Sequence, residues 1–127
     1  MYTQMKRARR WTERIAAENG YCSNLAGLCG VGSCRAFLYL KWLGYHPKLI
    51  VNTDHIFVLA EGNVIDVTAS QFDLPDIHTE PFPSSRFFYK KQKSFNFITA
   101  LCRWQTEQGW SESQIYWNHS TKFKIRN

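Results

Sequence analysis

The segment 27–50, GLCGVGSCRAFLYLKWLGYHPKLI, constrains the fold of this chain more than any other stretch. Between Cys29 and Gly44 it carries only two charged residues, Arg35 and Lys41, and apolar side chains fall on nearly every side of a helix drawn through it. A helix at the surface of a protein shows a polar stripe, which this one lacks. We therefore expect a helix buried at the centre of the domain.

Cys29 stands at the predicted start of this helix, among the glycines Gly27, Gly30 and Gly32. Glycines allow close approach of other backbone, and the dipole and unpaired N–H groups of a helix N-terminus stabilise a thiolate. The pattern indicates a nucleophilic cysteine. Asn24 is the side-chain amide best placed to help bind an oxyanion, and the alternative is that it caps a turn.

The composition indicates one folded domain over residues 1–127. With 127 residues, 44% of them hydrophobic and 16% aromatic, the chain can bury a real core, which excludes a mostly disordered protein. No apolar run approaches the ~18 residues of a membrane span, and the N-terminus lacks the apolar core of a signal peptide. We expect a soluble, cytoplasmic protein that does not contact a membrane, and delivery into another cell stays open.

Four cysteines, Cys22, Cys29, Cys34 and Cys102, invite a disulfide or a zinc interpretation. Without a secretory signal, free thiols are favoured over disulfides. A zinc site would use the first three cysteines with a histidine, but their spacing lacks the C-x2-C pair typical of such sites. We expect no metal and no cofactor.

The net charge of +6 lies mainly in three basic clusters. They are Lys6, Arg7, Arg9, Arg10 and Arg14; Lys90, Lys91 and Lys93; and Lys122, Lys124 and Arg126. Such clusters attract nucleic acid or an acidic partner, and the alternative is a solvated face that keeps the protein soluble. A binding module would use the first helix and the aromatic and basic run 86–97.

The rest of the chain predicts an α+β order of elements. Met5, Ala8, Trp11 and Ile15 have the spacing of a helix over 3–19. The runs KLIVN, HIFVLA and VIDVTA after the central helix predict an antiparallel meander packed against it.

The last third of the chain is predicted from its turn and cap residues. Segment 71–85 predicts a surface loop, and 86–97 a strand followed by a turn. Ser94 is a candidate cap for a helix that reaches about Gln108, and Gly109 ends that helix. Ser111 with Gln114 predicts a capping box for a short last helix.

The turn at 61–62 sets the relation of His55 to Asp66. With Ala60 paired to Asn63, the two side chains lie on one face as diagonal neighbours, with Cβ atoms about 7 Å apart. A turn at 60–61 would instead place them directly opposite each other on the same face, and a one-residue bulge would separate them. An aspartate within an apolar strand is costly to bury unless it is paired, and the histidine is a ready partner. The alternative for His55 is an ordinary core histidine.

A cysteine protease or acyltransferase needs a thiolate, an imidazole and a third group that orients the imidazole. Cys29, His55 and Asp66 supply these types. Cys34 is a competing nucleophile, because Gly32-Ser33-Cys34 is also a Gly-x-Cys sequence at the start of a helix. Cys22 and Cys102 are expected to be structural. Thr68 and Gln71 follow Asp66 closely enough to line the cleft, as does Phe72 unless it packs in the core.

Four ordered elements resemble the core of transglutaminase-like cysteine enzymes and of the related arylamine acetyltransferases. They are Gly27-Leu28-Cys29, an apolar helix ending in Gly44, His55-Ile56-Phe57-Val58, and Val64-Ile65-Asp66-Val67-Thr68. The match covers residues 24–72, with Phe57 and Val67 replacing the family's frequent Trp and Pro. It implies a papain-like fold, with the cysteine on a central buried helix packed on a small antiparallel sheet and Cys29, His55 and Asp66 as the triad.

The function expected on this basis is cysteine-dependent acyl chemistry on a protein or peptide amide. Deamidation, peptide hydrolysis and transglutamination all remain open. The rival hypotheses are a basic module that binds nucleic acid or a protein, and an inactive enzyme fold used for interaction.

Overall fold

A computed structural model describes residues 1–121, so the basic cluster at Lys122, Lys124 and Arg126 lies outside the described residues. Over residues 1–121 three α-helices accompany one five-stranded antiparallel sheet, which makes the fold α+β as expected. The sheet order is β4-β3-β2-β1-β5. The elements are α1 (Tyr2–Asn19), α2 (Cys29–Trp42), β1 (Lys48–Val51), β2 (Ile56–Ala60), β3 (Asn63–Asp66), β4 (His78–Pro81), β5 (Lys93–Phe95) and α3 (Ile98–Glu107).

Helix α2 is the buried centre of the fold, as its apolar sequence predicted. Eleven of its 14 residues are buried, and it contacts α1, β1 and β2. Arg35 is buried with the apolar residues: its guanidinium lies 4.3 Å over the Trp11 ring and donates a hydrogen bond of 3.0 Å to the Tyr116 hydroxyl. The aromatic ring faces and the hydroxyl thus solvate the one cation in the middle of the helix.

Helix α1 covers one side of α2 through Met5, Ala8, Trp11 and Ile15, the predicted apolar face. Arg9 was expected to belong to a basic cluster on the surface, but its side chain is buried. Its guanidinium donates hydrogen bonds to segment 67–76, with distances of 2.8 to 3.3 Å. Arg9 is therefore a tie between α1 and the chain that follows β3.

The meander forms in one of the two registers that the sequence allows, the one with the turn at 61–62. Ala60 pairs with Asn63 across a two-residue turn, in which Glu61 and Gly62 both have positive φ angles of 52° and 74°. This is the conformation that two-residue hairpins favour and that glycine adopts at little cost.

The predictions for the remaining elements were partly wrong. Segment 71–85, expected as a surface loop, contains the edge strand β4, paired with β3. Ser94 lies inside β5 and caps no helix, since α3 begins at Ile98. The Ser111–Gln114 capping box is present, on a 3₁₀ turn at Glu112–Gln114.

Candidate active site

Cys29 is the first residue of α2, and two close contacts fix this end of the helix against the sheet. The Ser33 hydroxyl donates a 2.9 Å hydrogen bond to the Ile56 carbonyl at the start of β2. A Cβ on Gly32 would lie 2.7 Å from Thr68 Cγ2, closer than real side chains come. The missing side chain thus lets α2 approach the residues that follow Asp66.

His55 lies immediately before β2, and Asn52 fixes its backbone. The Asn52 side-chain oxygen accepts hydrogen bonds of 2.8 Å from the N–H groups of Asp54 and His55. Its amide nitrogen donates to the carbonyls of Phe88 (3.1 Å) and Lys90 (2.6 Å). Asn52 was not identified from the sequence, although an Asn that opens a turn is a recognisable signal.

The His55 ring and the Asp66 carboxylate form a direct pair. Nε2 of His55 lies 2.7 Å from Oδ2 of Asp66, and both side chains are fully inaccessible to solvent. The predicted diagonal relation on one face of the hairpin therefore closes to a hydrogen bond. This is the pairing that an aspartate within an apolar strand requires.

Asp66 accepts further hydrogen bonds from two residues. The Tyr89 hydroxyl donates to Oδ2 at 2.8 Å, while the Thr68 backbone N–H and hydroxyl donate to Oδ1 at 2.9 and 3.2 Å. Thr68 was expected to line the cleft, and its observed contacts hold Asp66. Tyr89 was missed, because it lies in an aromatic run whose hydroxyl-bearing member gives no distinguishing signal.

The pKa values of this network shift in opposite directions. Burial lowers the pKa of His55, but the charge and hydrogen bond of Asp66, together with a hydrogen bond to Cys29, raise it to about 10. Burial raises the pKa of Asp66, but the charge of His55 and the hydrogen bonds from His55, the Thr68 backbone N–H and Tyr89 outweigh it, so that the pKa is lowered. The pair is therefore imidazolium and carboxylate at neutral pH.

Tyr89 remains the hydrogen-bond donor to this pair at neutral pH. Burial and the negative charge of Asp66 both raise the pKa of its phenol. The phenol stays protonated, and its O–H contributes to the stability of the buried carboxylate.

The Cys29 thiol is within hydrogen-bonding reach of the His55 ring. Because Nε2 is engaged by Asp66, Nδ1 is the ring nitrogen left to exchange a proton with the thiol. The Gln71 amide nitrogen lies 3.5 Å from Nδ1 and donates to the Thr68 carbonyl at 3.0 Å. Cys29, His55, Asp66, Thr68 and Gln71 therefore lie together.

The environment of the His55 ring is aromatic. The edge-on contact with Phe72 spans 4.8 Å between ring centroids, and Phe72 stacks on Phe88 at 3.9 Å. Phe87 meets Phe88 edge-to-face at 5.2 Å and is 63% exposed. The rings lower the dielectric around the ion pair and lead from His55 to the surface.

Asn24 lies in an exposed loop, and its side-chain oxygen accepts a 3.0 Å hydrogen bond from the Ala26 N–H. It therefore caps a turn, the alternative that the sequence left open, and its contribution to an oxyanion site remains a prediction. The backbone N–H of Cys29 is a second donor for that role, because the first N–H groups of a helix have no acceptor within it.

The other cysteines differ from Cys29 in environment. Cys34 is fully buried, and burial together with its contact to Cys102 raises the pKa of its thiol, which disfavours it as the nucleophile. Cys22 is exposed, and all four cysteines are free. Within residues 1–121 no group of three or more His, Cys, Asp or Glu side chains is arranged to hold a metal ion.

Comparison of the chain with protein-family models, curated proteins and solved structures finds no match. In the part of the chain that the structure describes, no helix combines the length and the apolar character needed to cross a membrane.

Proposed function

We propose that this protein is a transglutaminase-like, papain-like cysteine enzyme that acts on a carboxamide or peptide carbonyl. The proposal depends above all on His55, which forms a 2.7 Å hydrogen bond with Asp66 and whose pKa is raised in part by hydrogen bonding to the Cys29 thiol. The position of Cys29 as the first residue of a buried helix adds the dipole and free N–H groups that favour a thiolate. Triads are recognised by such geometry and not by their order in the chain.

In the first half of the proposed reaction, the Cys29 sulfur attacks the carbonyl carbon of the substrate amide. The imidazolium of His55 already holds on Nδ1 the proton that the thiol has given up, and it passes this proton to the departing nitrogen, which leaves as ammonia or an amine. The product is a thioester on Cys29. Asp66 keeps Nε2 protonated and the ring oriented throughout, while the Cys29 N–H donates to the oxyanion.

In the second half, an acceptor cleaves the thioester. Water yields a carboxylate, which is deamidation or peptide hydrolysis, and a primary amine yields a new amide, which is transglutamination. His55, left neutral by the first half, accepts a proton from the acceptor and becomes the imidazolium again, while the Cys29 sulfur leaves the thioester as the thiolate. No metal or cofactor is needed for either half.

The test is a screen of glutamine-containing proteins and peptides for ammonia release, peptide cleavage and incorporation of a fluorescent primary amine. Cys29→Ala and His55→Ala are expected to lower turnover about a thousandfold or more, and Asp66→Asn to lower it strongly with folding retained. Cys34→Ser is the matched cysteine control and is expected to keep turnover. Activity that survives Cys29→Ala would contradict the proposal.

One observation favours a second candidate, an inactive enzyme fold used for interaction. Cys29 is only 6% exposed and His55 only 2%, so a substrate reaches the sulfur only if neighbouring side chains move. On this candidate the buried pair only stabilises the fold. Absence of turnover on every substrate class, together with unreactive Cys29 in the folded protein, would favour it over the enzyme.

A further inference from the structure

A second concave site lies at the opposite end of α2 from Cys29. It has a volume of about 220 Å³ and is formed where α2 ends, β1 begins and β5 leads into α3. Its lining residues are Lys41, His46, Pro47, Lys48, Asn96 and Phe97. Lys41 follows Cys29 by twelve positions, which at 1.5 Å per residue puts their backbones about 18 Å apart. The pocket is thus separate from the candidate active site.

The pocket is cationic. Lys41 and Lys48 both lie in its lining, which includes no acidic residue. The Lys41 ammonium is held 5.5 Å from the ring centroids of Phe37 and Phe97, so the charge lies beside the pocket's aromatic wall. Asn96 adds an amide and His46 an imidazole as polar groups that can donate hydrogen bonds.

The second property of the pocket is an exposed aromatic ring, that of Phe97. The ring is 62% exposed, although burying a phenylalanine side chain is worth about 1.5–3 kcal/mol. It lies two residues after the end of β5, an edge strand on which Lys93 lies 5.7 Å over the Phe95 ring. Interleaved cations and aromatic rings therefore lead along this edge of the sheet into the pocket.

We propose that this pocket binds single-stranded nucleic acid, with a base stacked on Phe97 and the flanking phosphates contacted by Lys41 and Lys48. An exposed ring accepts any base, and two cations at one edge of it match a phosphate backbone that passes beside a stacked base. The proposal does not depend on the chemistry at Cys29. It selects the far end of α2 over the basic surface of α1 as the binding site.

The experiment measures the binding of a fluorescent ten-nucleotide oligouridylate by anisotropy over a series of salt concentrations. Lys41→Gln with Lys48→Gln is expected to weaken binding at least tenfold and to reduce the slope of log affinity against log salt by about 1.4, for two phosphates. Phe97→Ala leaves the charge unchanged and is expected to weaken binding about tenfold while preserving the slope.

Lys6→Gln with Arg10→Gln is the matched control, because it removes the same charge from exposed positions of α1. It is expected to leave most of the affinity intact. Equal losses of affinity in the two double variants, or an unchanged affinity in Phe97→Ala, would overturn the proposal. Either result would mean that the net charge of the protein alone accounts for the binding. Equal competition by polyglutamate would overturn it in favour of an acidic protein partner. All five substituted residues are exposed, and circular dichroism verifies folding.

Discussion

At the residue scale, the His55–Asp66 pair gives the protein a characteristic dependence of stability on pH. The pKa of His55 is raised from 6.5 to about 10 on folding, so its contribution is complete below pH 6.5 and is lost as the pH rises towards 10. The pKa of Asp66 is lowered, so its contribution is present above its ordinary value and is lost as the pH falls. The pair therefore stabilises the fold most in mildly acidic solution.

We predict that the free energy of unfolding in urea falls between pH 6 and pH 9, and that this fall is smaller in His55→Gln. The variant retains a hydrogen-bonding side chain but cannot carry the charge. Groups other than His55 titrate alike in both proteins, so the difference between them isolates the pair. A fall of equal size in both would contradict the ion pair.

The residues of the pair were predictable because either possible two-residue turn keeps the two side chains on one face and because an aspartate within an apolar strand needs a partner. The residues that hold His55 and Asp66 in place were not predicted. Asn52 and Tyr89 reach the site from a different turn and from the 3₁₀ segment Phe87–Tyr89, and nothing in local periodicity reports where such a segment folds back.

At the element scale, Gly32 lets α2 lie against the end of the meander. We predict that Gly32→Ala lowers the free energy of unfolding by about 1–3 kcal/mol, because the new Cβ overlaps Thr68 Cγ2. An alanine inside a helix is otherwise stabilising by about 0.5–1 kcal/mol relative to glycine. The same overlap pushes on Thr68 and thus on Asp66, so turnover is expected to fall as well.

Thr68→Ser is the compensating substitution for Gly32→Ala, because it removes the methyl group that the new Cβ would overlap. It deletes Cγ2 and keeps the hydroxyl that donates to Asp66. In the Gly32→Ala background it is expected to recover part of the lost stability in the same urea measurement. If Gly32→Ala is more stable than the parent protein, this account of the glycine is wrong.

Arg9 joins α1 to segment 67–76, which carries Thr68 and Gln71 of the site. We predict that Arg9→Ala lowers the free energy of unfolding by about 2 kcal/mol, because the Val67 carbonyl loses its charged donor. The adjacent Arg10 is exposed, and Arg10→Ala is expected to change stability by less than about 0.5 kcal/mol. Thermal or urea unfolding of the two variants compares them, and equal effects would refute the structural role of Arg9.

The helices and the meander were predictable from apolar periodicity and turn chemistry. Strand β4 and the position of Ser94 within a strand were not. Strand β4 is four residues long, lies at the sheet edge and has the sequence HTEP, which lacks the alternation of apolar and polar residues that predicts a half-buried strand. Ser94 has the residue type of a cap but lies in β5, where it pairs with Ile50 of β1. Pairing with a distant strand overrides such local preferences.

At the scale of the whole molecule, α2 joins two chemically different ends. Its first residue is the candidate nucleophile, among buried partners, and its last turn contributes Lys41 to the cationic pocket. The sequence predicted the central position of this helix because its residues are apolar all round. It did not predict the pocket, since Lys48 and Phe97 are brought to Lys41 only by the packing of β1 and β5 at the end of α2.

The central claim is that His55 activates Cys29, and it is tested most directly by the alkylation rate of each cysteine in the folded protein at pH 6. Cys22 is the internal reference, because it is exposed whereas Cys29 is only 6% exposed. We predict that iodoacetamide modifies Cys29 at least about tenfold faster than Cys22, as resolved by mass spectrometry, and that His55→Ala abolishes this preference. Modification of Cys22 first, with a Cys29 rate indifferent to His55→Ala, would contradict the account.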